Sequence, residues 1–193
     1  MMRVVIINEP WTHPDPERSN VRLVKIDDSV LHALARGEGA GVEQFLMTTY
    51  LRGDECRGLW RMRSAQIVDA PGDASWVTRF VVVSGEAAPV GLAGFHGSPD
   101  EAGVVEIGYR IDPEQRRKGY ARQALEILLA VARTHPDVRV VRATISPDNH
   151  ASRSLITGYG FIEVGEQWDD QDGLEIIFEL TGDAGAPVSE AER

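Results

Sequence analysis

Residues 104–129, VVEIGYRIDPEQRRKGYARQALEILL, decide how this chain is read. Apolar and β-branched residues dominate from Val104 to Ile111, which predicts a strand. Asp112-Pro113 ends it, because proline has no N–H for the ladder and favours a turn. After Gly119 the apolar residues Ala121, Ala124, Leu125, Leu128, Leu129 and Ala132 follow three/four spacing, one face of a helix. The first turn of that helix has N–H groups without intrahelical partners, and the macrodipole adds partial positive charge there. Between Arg110 and Lys118 stand four basic and two acidic residues, a local charge of +2 in a chain whose total is −10. Basic residues ahead of a helix oppose its dipole, so stability gives no reason for them. A bound phosphate or pyrophosphate does.

The rest of the composition sets bounds. With 193 residues the chain is long enough for a real core, and 42% hydrophobic with 26% charged side chains is ordinary for a soluble globular protein. Thirty acidic against 20 basic residues, with no basic stripe interleaved with aromatics, argue against a nucleic-acid partner. One cysteine, Cys56, cannot form an internal disulfide and suits a reducing cytoplasm. No segment approaches membrane-spanning length, so no membrane partner is expected.

One domain is expected over residues 21–180, flanked by an N-terminal arm (1–20) with a short strand at Arg3–Ile7 and a frayed acidic tail (181–193). Within it the pattern predicts a strand at Val21–Ile26, a helix from Asp27-Asp28 to about Arg36, a glycine-rich break at 37–41 and a helix at Val42–Leu51. Gly53–Gln66 is poorly patterned, and a helix there is one open reading. Strands follow at Trp76–Val83, Pro89–Phe95 and Val104–Ile111, then a helix at Tyr120–Arg133 and a strand at Val138–Ile145. A short helix at Ala151–Thr157 and a hairpin turning at Asp172-Gly173 complete the order. Early helices, hairpin-linked strands and later β-α-β crossovers indicate an α/β (α+β) fold, a mixed sheet with helices on both faces.

Arg116-x-x-Gly119-x-Ala121 after a strand is similar to the acetyl-CoA pyrophosphate motif of the GNAT N-acetyltransferases. The stretch Ala143 to Ser152, closing at Gly160-Phe161, resembles the second motif of that family. Glu-Ile-Gly-Tyr at 106–109 with Asn149-x-Ala151-Ser152 resembles the subgroup of ribosomal-protein N-terminal acetyltransferases. The resemblance implies a single domain with a mixed, mostly antiparallel sheet of six to seven strands that splays between its fourth and fifth strands, here Val104–Ile111 and Val138–Ile145. It implies direct acetyl transfer from acetyl-CoA, as co-substrate, to a primary amine. The pyrophosphate would lie on Arg116, Arg117, Lys118, Gly119, Tyr120 and Ala121, and the pantetheine arm near Ile111 and Asn149, with Ser152 close to the sulfur. It further implies a cytoplasmic enzyme whose partner is an amine acceptor, a peptide N-terminus or a small molecule, in a group where homodimers are common. Residues 30–72 would set acceptor specificity.

The chemistry asks for a base, because an alkylammonium is mostly protonated at neutral pH and only the free amine attacks a thioester. Glu106 is the leading candidate, acting through a water, with a solvated or ion-paired strand carboxylate as its plain alternative. His96 at the end of the preceding strand is the second. The family's usual acid, a tyrosine four residues before Gly-Phe, is replaced by Ile156, so Ser152 is the candidate to assist the leaving thiolate. Ser152 could equally cap the short helix, and Tyr159 would pack.

Other motifs fail. There is no G-x-x-x-x-G-K-S/T loop and no G-x-S-x-G elbow. The histidines at 13, 32, 96, 135 and 150 have no ligand spacing, and 168–173 lacks the alternating ligands of a calcium loop, so no metal is expected. A non-catalytic coenzyme A-binding module and an acyltransferase for a larger acyl group are the alternative functions.

Overall fold

The computed structural model describes residues 9–38, 47–170 and 173–181. The expected strand at Arg3–Ile7, residues 42–46 of the expected second helix, Asp172 of the hairpin turn and the tail after Thr181 lie outside the described residues. The chain forms two compact units, Met1–Ser98 with Gly108–Val131, and Pro99–Ile107 with Ala132–Arg193. The backbone passes from one unit to the other three times, so neither is a continuous stretch and no linker betrays a boundary in the sequence.

The first unit carries strands β1 (Trp11–Thr12), β2 (Val21–Lys25), β3 (Arg79–Val83) and β4 (Gly91–Phe95), each antiparallel to the next in the register Trp11↔Leu23, Leu23↔Val81 and Phe80↔Leu92. β5 (Val104–Ile111) lies beside β4, and its residues from Gly108 onward belong to this unit. Helices α1 (Asp28–Arg36), α2 (Thr49–Arg52), α3 (Asp54–Asp69) and most of α4 (Tyr120–Thr134) complete it. Leu31 and Leu34 of α1, Leu51 of α2, and Cys56, Trp60 and Ile67 of α3 pack with Phe80 and Leu92 in one core. Each such buried apolar side chain contributes about 1.5–3 kcal/mol through removal from water. Trp60 keeps its polar atom satisfied by donating to the carbonyl of Leu51 at 2.9 Å.

Three stretches are filled in here. Gly53–Gln66, where a helix was left open, is helical from Asp54 as part of α3, whose buried stripe at 56, 60, 63 and 67 includes an arginine. Of the helix expected at Val42–Leu51, the described part, 47–51, is helical from Thr49, with the Thr48 hydroxyl capping α2 by accepting from the Leu51 N–H. Within the stretch expected as an arm, Trp11 and His13 are buried while most of the other residues from 9 to 20 are exposed. Trp11 is buried against Phe95, edge to face at 5.6 Å between centroids, and Arg79 stacks over its ring at 3.5 Å. Burial pulls the Arg79 guanidinium down to about 10, still ionised at neutral pH, and it donates to the carbonyls of Glu9 and Ser75. His13 faces Glu126 of α4 at 3.3 Å. These contacts add a strand that a proline-rich segment conceals, and among the described residues the sheet has eight strands where six to seven were expected.

The second unit holds the first half of β5 with β6 (Val140–Ile145), β7 (Ile162–Asp169), β8 (Gly173–Thr181) and α5 (His150–Thr157), in the strand order β5-β6-β8-β7. β5 and β6 are parallel and their ladder has three positions, ending at Glu106↔Arg142. β6 runs on to Ile145, paired antiparallel with β8 to Ile145↔Ile176. Val105, Ile107, Val141, Ala143, Phe178 and Leu180 are buried, while the alternate residues Glu106, Arg142, Thr144 and Glu179 take the other face. The mixed sheet and the helix order agree with the fold class read from the sequence.

Candidate active site

The turn after β5 is built by its own polar groups. The Asp112 N–H donates to the Val90 carbonyl at 2.9 Å, and the buried Asp112 carboxylate accepts from the Glu114 N–H at 3.0 Å, which starts a 3-10 turn over Pro113–Gln115. Arg116 Nε then reaches back to the Ile111 carbonyl at 3.1 Å, and Lys118 Nζ donates to Gln115 Oε1 at 2.6 Å. Two residues enter the left-handed region, Arg117 at φ 63° and Gly119 at φ 81°. Glycine takes that conformation freely, whereas arginine does so at a cost of about 1–2 kcal/mol. α4 begins at Tyr120, and its first backbone bond to this turn runs from the Gln123 N–H to the Gly119 carbonyl. The N–H groups just before Gln123 thus lack intrahelical partners. Exposed Arg116, Arg117 and Lys118 stand around a turn that changes hand twice before a 15-residue helix, the form of an anion-binding nest. Ile111 itself is buried.

His96 follows the last residue of β4. Its carbonyl accepts from Arg63 Nη1 at 3.0 Å and Gln66 Nε2 at 2.6 Å, and its ring lies against Gly108, where an added Cβ would come within 2.7 Å of Nε2. Arg63, Gln66 and Gly108 were not singled out in the sequence. Only the glycine carried a signal, since glycine inside a strand pattern marks close approach of another group.

In the second unit Glu106 is half-buried and its Oε1 accepts from the Thr144 hydroxyl at 2.5 Å. Thr144 sits two residues beyond the end of the β5–β6 ladder, on the same face as Arg142, a partner that no local sequence pattern shows. Asn149, not Ser152, caps α5: its Oδ1 accepts from the Ser152 N–H at 3.2 Å. The capping alternative for the Ser152 side chain therefore falls away, and Ser152 occupies the first turn. Ile156 is 0% exposed and Tyr159 is also buried, so the position where the resemblance implied a tyrosine acid is core here. Cys56 is a buried thiol, pushed up by burial with a smaller opposing pull from Arg110. Among the described residues no group of three or more His, Cys, Asp or Glu could hold a metal ion, and no helix is long and apolar enough to cross a membrane.

The first unit thus assembles the basic turn with Ile111, and His96 with Gly108; the second joins Glu106 to Thr144, and Asn149 to the backbone of Ser152. The chain is 28% identical over 151 residues to the uncharacterized N-acetyltransferase YjdG of Bacillus subtilis (strain 168), covering 76% of this chain and 88% of that protein. The ribosomal-protein-S5-alanine acetyltransferase from Vibrio fischeri shares the fold with a TM-score of 0.61 at 17% identity, over 87% of this chain and 96% of its own. So does the microcin C7 self immunity acetyltransferase MccE, solved in complex with acetyl-CoA and AMP, at TM-score 0.60 and 11% identity, over 91% and 99%. The family model for the acetyltransferase (GNAT) domain matches residues 18–162, most of the chain, and the protein belongs to the GNAT acetyltransferase family.

Proposed function

We propose that the protein is an acetyl-CoA-dependent N-acetyltransferase that moves the acetyl group directly to a primary amine. The observation that carries this reading is the turn at 115–121, with two left-handed residues, three exposed cations and the N-terminus of α4 together. That donor set fits a pyrophosphate. Arg116, Arg117, Lys118 and the N–H groups of Gly119, Tyr120 and Ala121 would hold it, and Asn149 and Ser152 would lie along the pantetheine arm.

Acetyl-CoA supplies an activated thioester, and the chain's residues manage the protons. Glu106 takes a proton from the substrate ammonium through a water, so that the nitrogen lone pair is free to form the N–C bond as the C–S bond breaks. The Thr144 hydrogen bond holds that carboxylate in one orientation, and a carboxylate has room to accept from a water as well. Ser152 assists the departing sulfur, since Ile156 has no proton to give. The buried Ile156 is also what favours the second reading, a module that binds coenzyme A without chemistry.

Calorimetry with acetyl-CoA tests the donor, and free-thiol release across a panel of peptides, polyamines and aminoglycosides tests the reaction and names the acceptor. Saturable binding with amine-dependent thiol release is expected. Binding without release by any amine would favour the non-catalytic module, and absence of binding would sink both. Glu106→Gln should lower kcat on the order of a hundredfold and remove one limb of the pH–rate profile. An unchanged profile would take the base role from Glu106.

A further inference from the structure

The hairpin of β7 and β8 gathers two surface properties, strong negative charge and exposed apolar side chains. Between Ile162 and Thr181 stand seven acidic residues and no basic one, in a chain whose net charge is −10. Of the six large apolar side chains exposed among the described residues, four belong to this hairpin: Ile162, Val164, Trp168 and Leu174. Both strands lie in the second unit.

Among the described residues β7 is an edge of the sheet, with β8 as its neighbour, and seven of its eight residues are exposed. An edge strand turns alternate N–H and C=O groups away from its neighbour, and those groups can pair with another extended chain. The register shifts between Glu163 and Gly165, and from Gly165 to Asp169 the pairing with β8 is continuous. Glu163, Glu166 and Trp168 lie opposite Phe178, Ile176 and Leu174, so they share one face. On that face Phe178 is buried, while Trp168 and Leu174 are exposed. Glu166 and Trp168 stand about 7 Å apart along the strand. Glu179 is held by Arg142 at 2.6 Å and Glu175 by Gln167 at 3.0 Å, whereas neither the Glu163 nor the Glu166 carboxylate has a partner among the described residues.

The charge alone has a simple account, since carboxylates on an edge strand keep sheets from joining. An indole, an isoleucine and a valine exposed on the same strand work against that purpose, because apolar surface favours cover. A partner that is not a copy of the chain meets both observations. Two β7 strands paired antiparallel would set Glu163, Glu166 and Asp169 against their own counterparts, and like charges across a ladder repel. A strand with basic residues at every second position would instead place one cation beside Glu166 and the next over the face of Trp168.

We propose that β7 is a docking edge for an extended basic segment of another protein, which adds to the sheet with Lys or Arg at alternate positions on the side of Glu163, Glu166 and Trp168. Main-chain hydrogen bonds along 165–169 hold the segment, and the carboxylates and the indole select it by charge. This binding needs neither acetyl-CoA nor turnover.

Calorimetry on the full chain, with a blocked hexapeptide alternating arginine and valine as the probe, tests the edge. Saturable binding is expected, weakening as salt rises, with none for the counterpart alternating glutamate and valine. Glu166→Lys should lower the affinity roughly tenfold or more and Trp168→Ala about threefold. Both side chains are exposed, so both variants keep the core. Two N-methylated probes, blocked at odd or at even amides, separate strand addition from charge. One should bind and the other should not, and equal behaviour of the two would overturn strand addition. Absence of binding at low salt, equal binding of the acidic peptide, or affinity unmoved in both variants would overturn the docking edge itself. Sedimentation of the chain alone reads the other occupant: a dimer dissolved by Trp168→Ala would give the edge to a second copy and overturn the proposal.

Discussion

Arg117 holds a left-handed backbone, φ 63°, that any L side chain adopts at a cost. Its neighbour two residues on, Gly119, takes the same region for nothing, so a glycine at 117 would remove strain from the folded state. The gain is partly offset by the extra freedom glycine gives the unfolded chain, about 0.5–1 kcal/mol. Arg117→Gly should therefore leave thermal stability unchanged or raise it by a few degrees. The same change removes one exposed cation from the nest, and acetyl-CoA affinity should fall roughly tenfold, the worth of one charge-assisted hydrogen bond. Melting curves and calorimetry on one variant read both effects. A loss of stability with full affinity would mean that the arginine is there for the fold. Glu106 and Ser152 could be nominated from the sequence because their types answer a chemical need; Thr144 could not, since it matters through a partner brought close by folding.

Among the elements, β5, the basic turn and α4 were the most readable part of the chain. There the apolar period changes from two to 3.6 across a proline and a glycine, and the observed bounds, Val104–Ile111 and Tyr120–Thr134, differ from the reading by one residue. α3 was unreadable for a specific reason. Its buried stripe puts Arg63 between Trp60 and Ile67, so a charged residue interrupts the pattern that would mark a helix face. Strand β1 was hidden for another, because Trp11 is buried through Arg79 and Phe95, both far along the chain. The short α5 rests on its cap. Asn149→Ala should cost about 1 kcal/mol by freeing the Ser152 N–H, read as a lower urea midpoint with an unchanged slope. A larger loss of acetyl-CoA affinity than of stability in this variant would assign Asn149 to the ligand as well as to the helix.

At the scale of the whole molecule the charges divide by distance. The chain carries −10 while its basic turn is locally positive, and at physiological salt the Debye length is about 8 Å. An anionic ligand at the turn feels the charges within that distance far more than those beyond it. Asp73 shows how the same molecule responds to acid. Burial would push its carboxyl up, but the Ser98 N–H and hydroxyl, Gln66 and the Arg63 charge hold it below the ordinary 3.8. A carboxyl depressed in the folded state lends stability above its ordinary pKa, and that stability is lost as pH falls through the lower folded value. Asp73→Asn should thus be less stable than wild type near neutral pH, and the difference should shrink below about pH 4. A difference that stays constant across that range would show that the carboxylate charge contributes nothing.

The four tryptophans divide between the units in a way that has an optical consequence. Trp11, Trp60 and Trp76 of the first unit are at most 6% exposed, whereas Trp168 of the second is 74% exposed, opposite Leu174 near the end of the β7–β8 hairpin. Emission from the native protein is the sum of three shielded indoles and one wetted one. A collisional quencher such as acrylamide extinguishes the wetted emitter first, and the difference spectrum belongs to the hairpin alone. Whatever covers that hairpin, an acceptor or a second copy of the chain, declares itself as a blue-shifted, protected fraction of fluorescence, with no label attached.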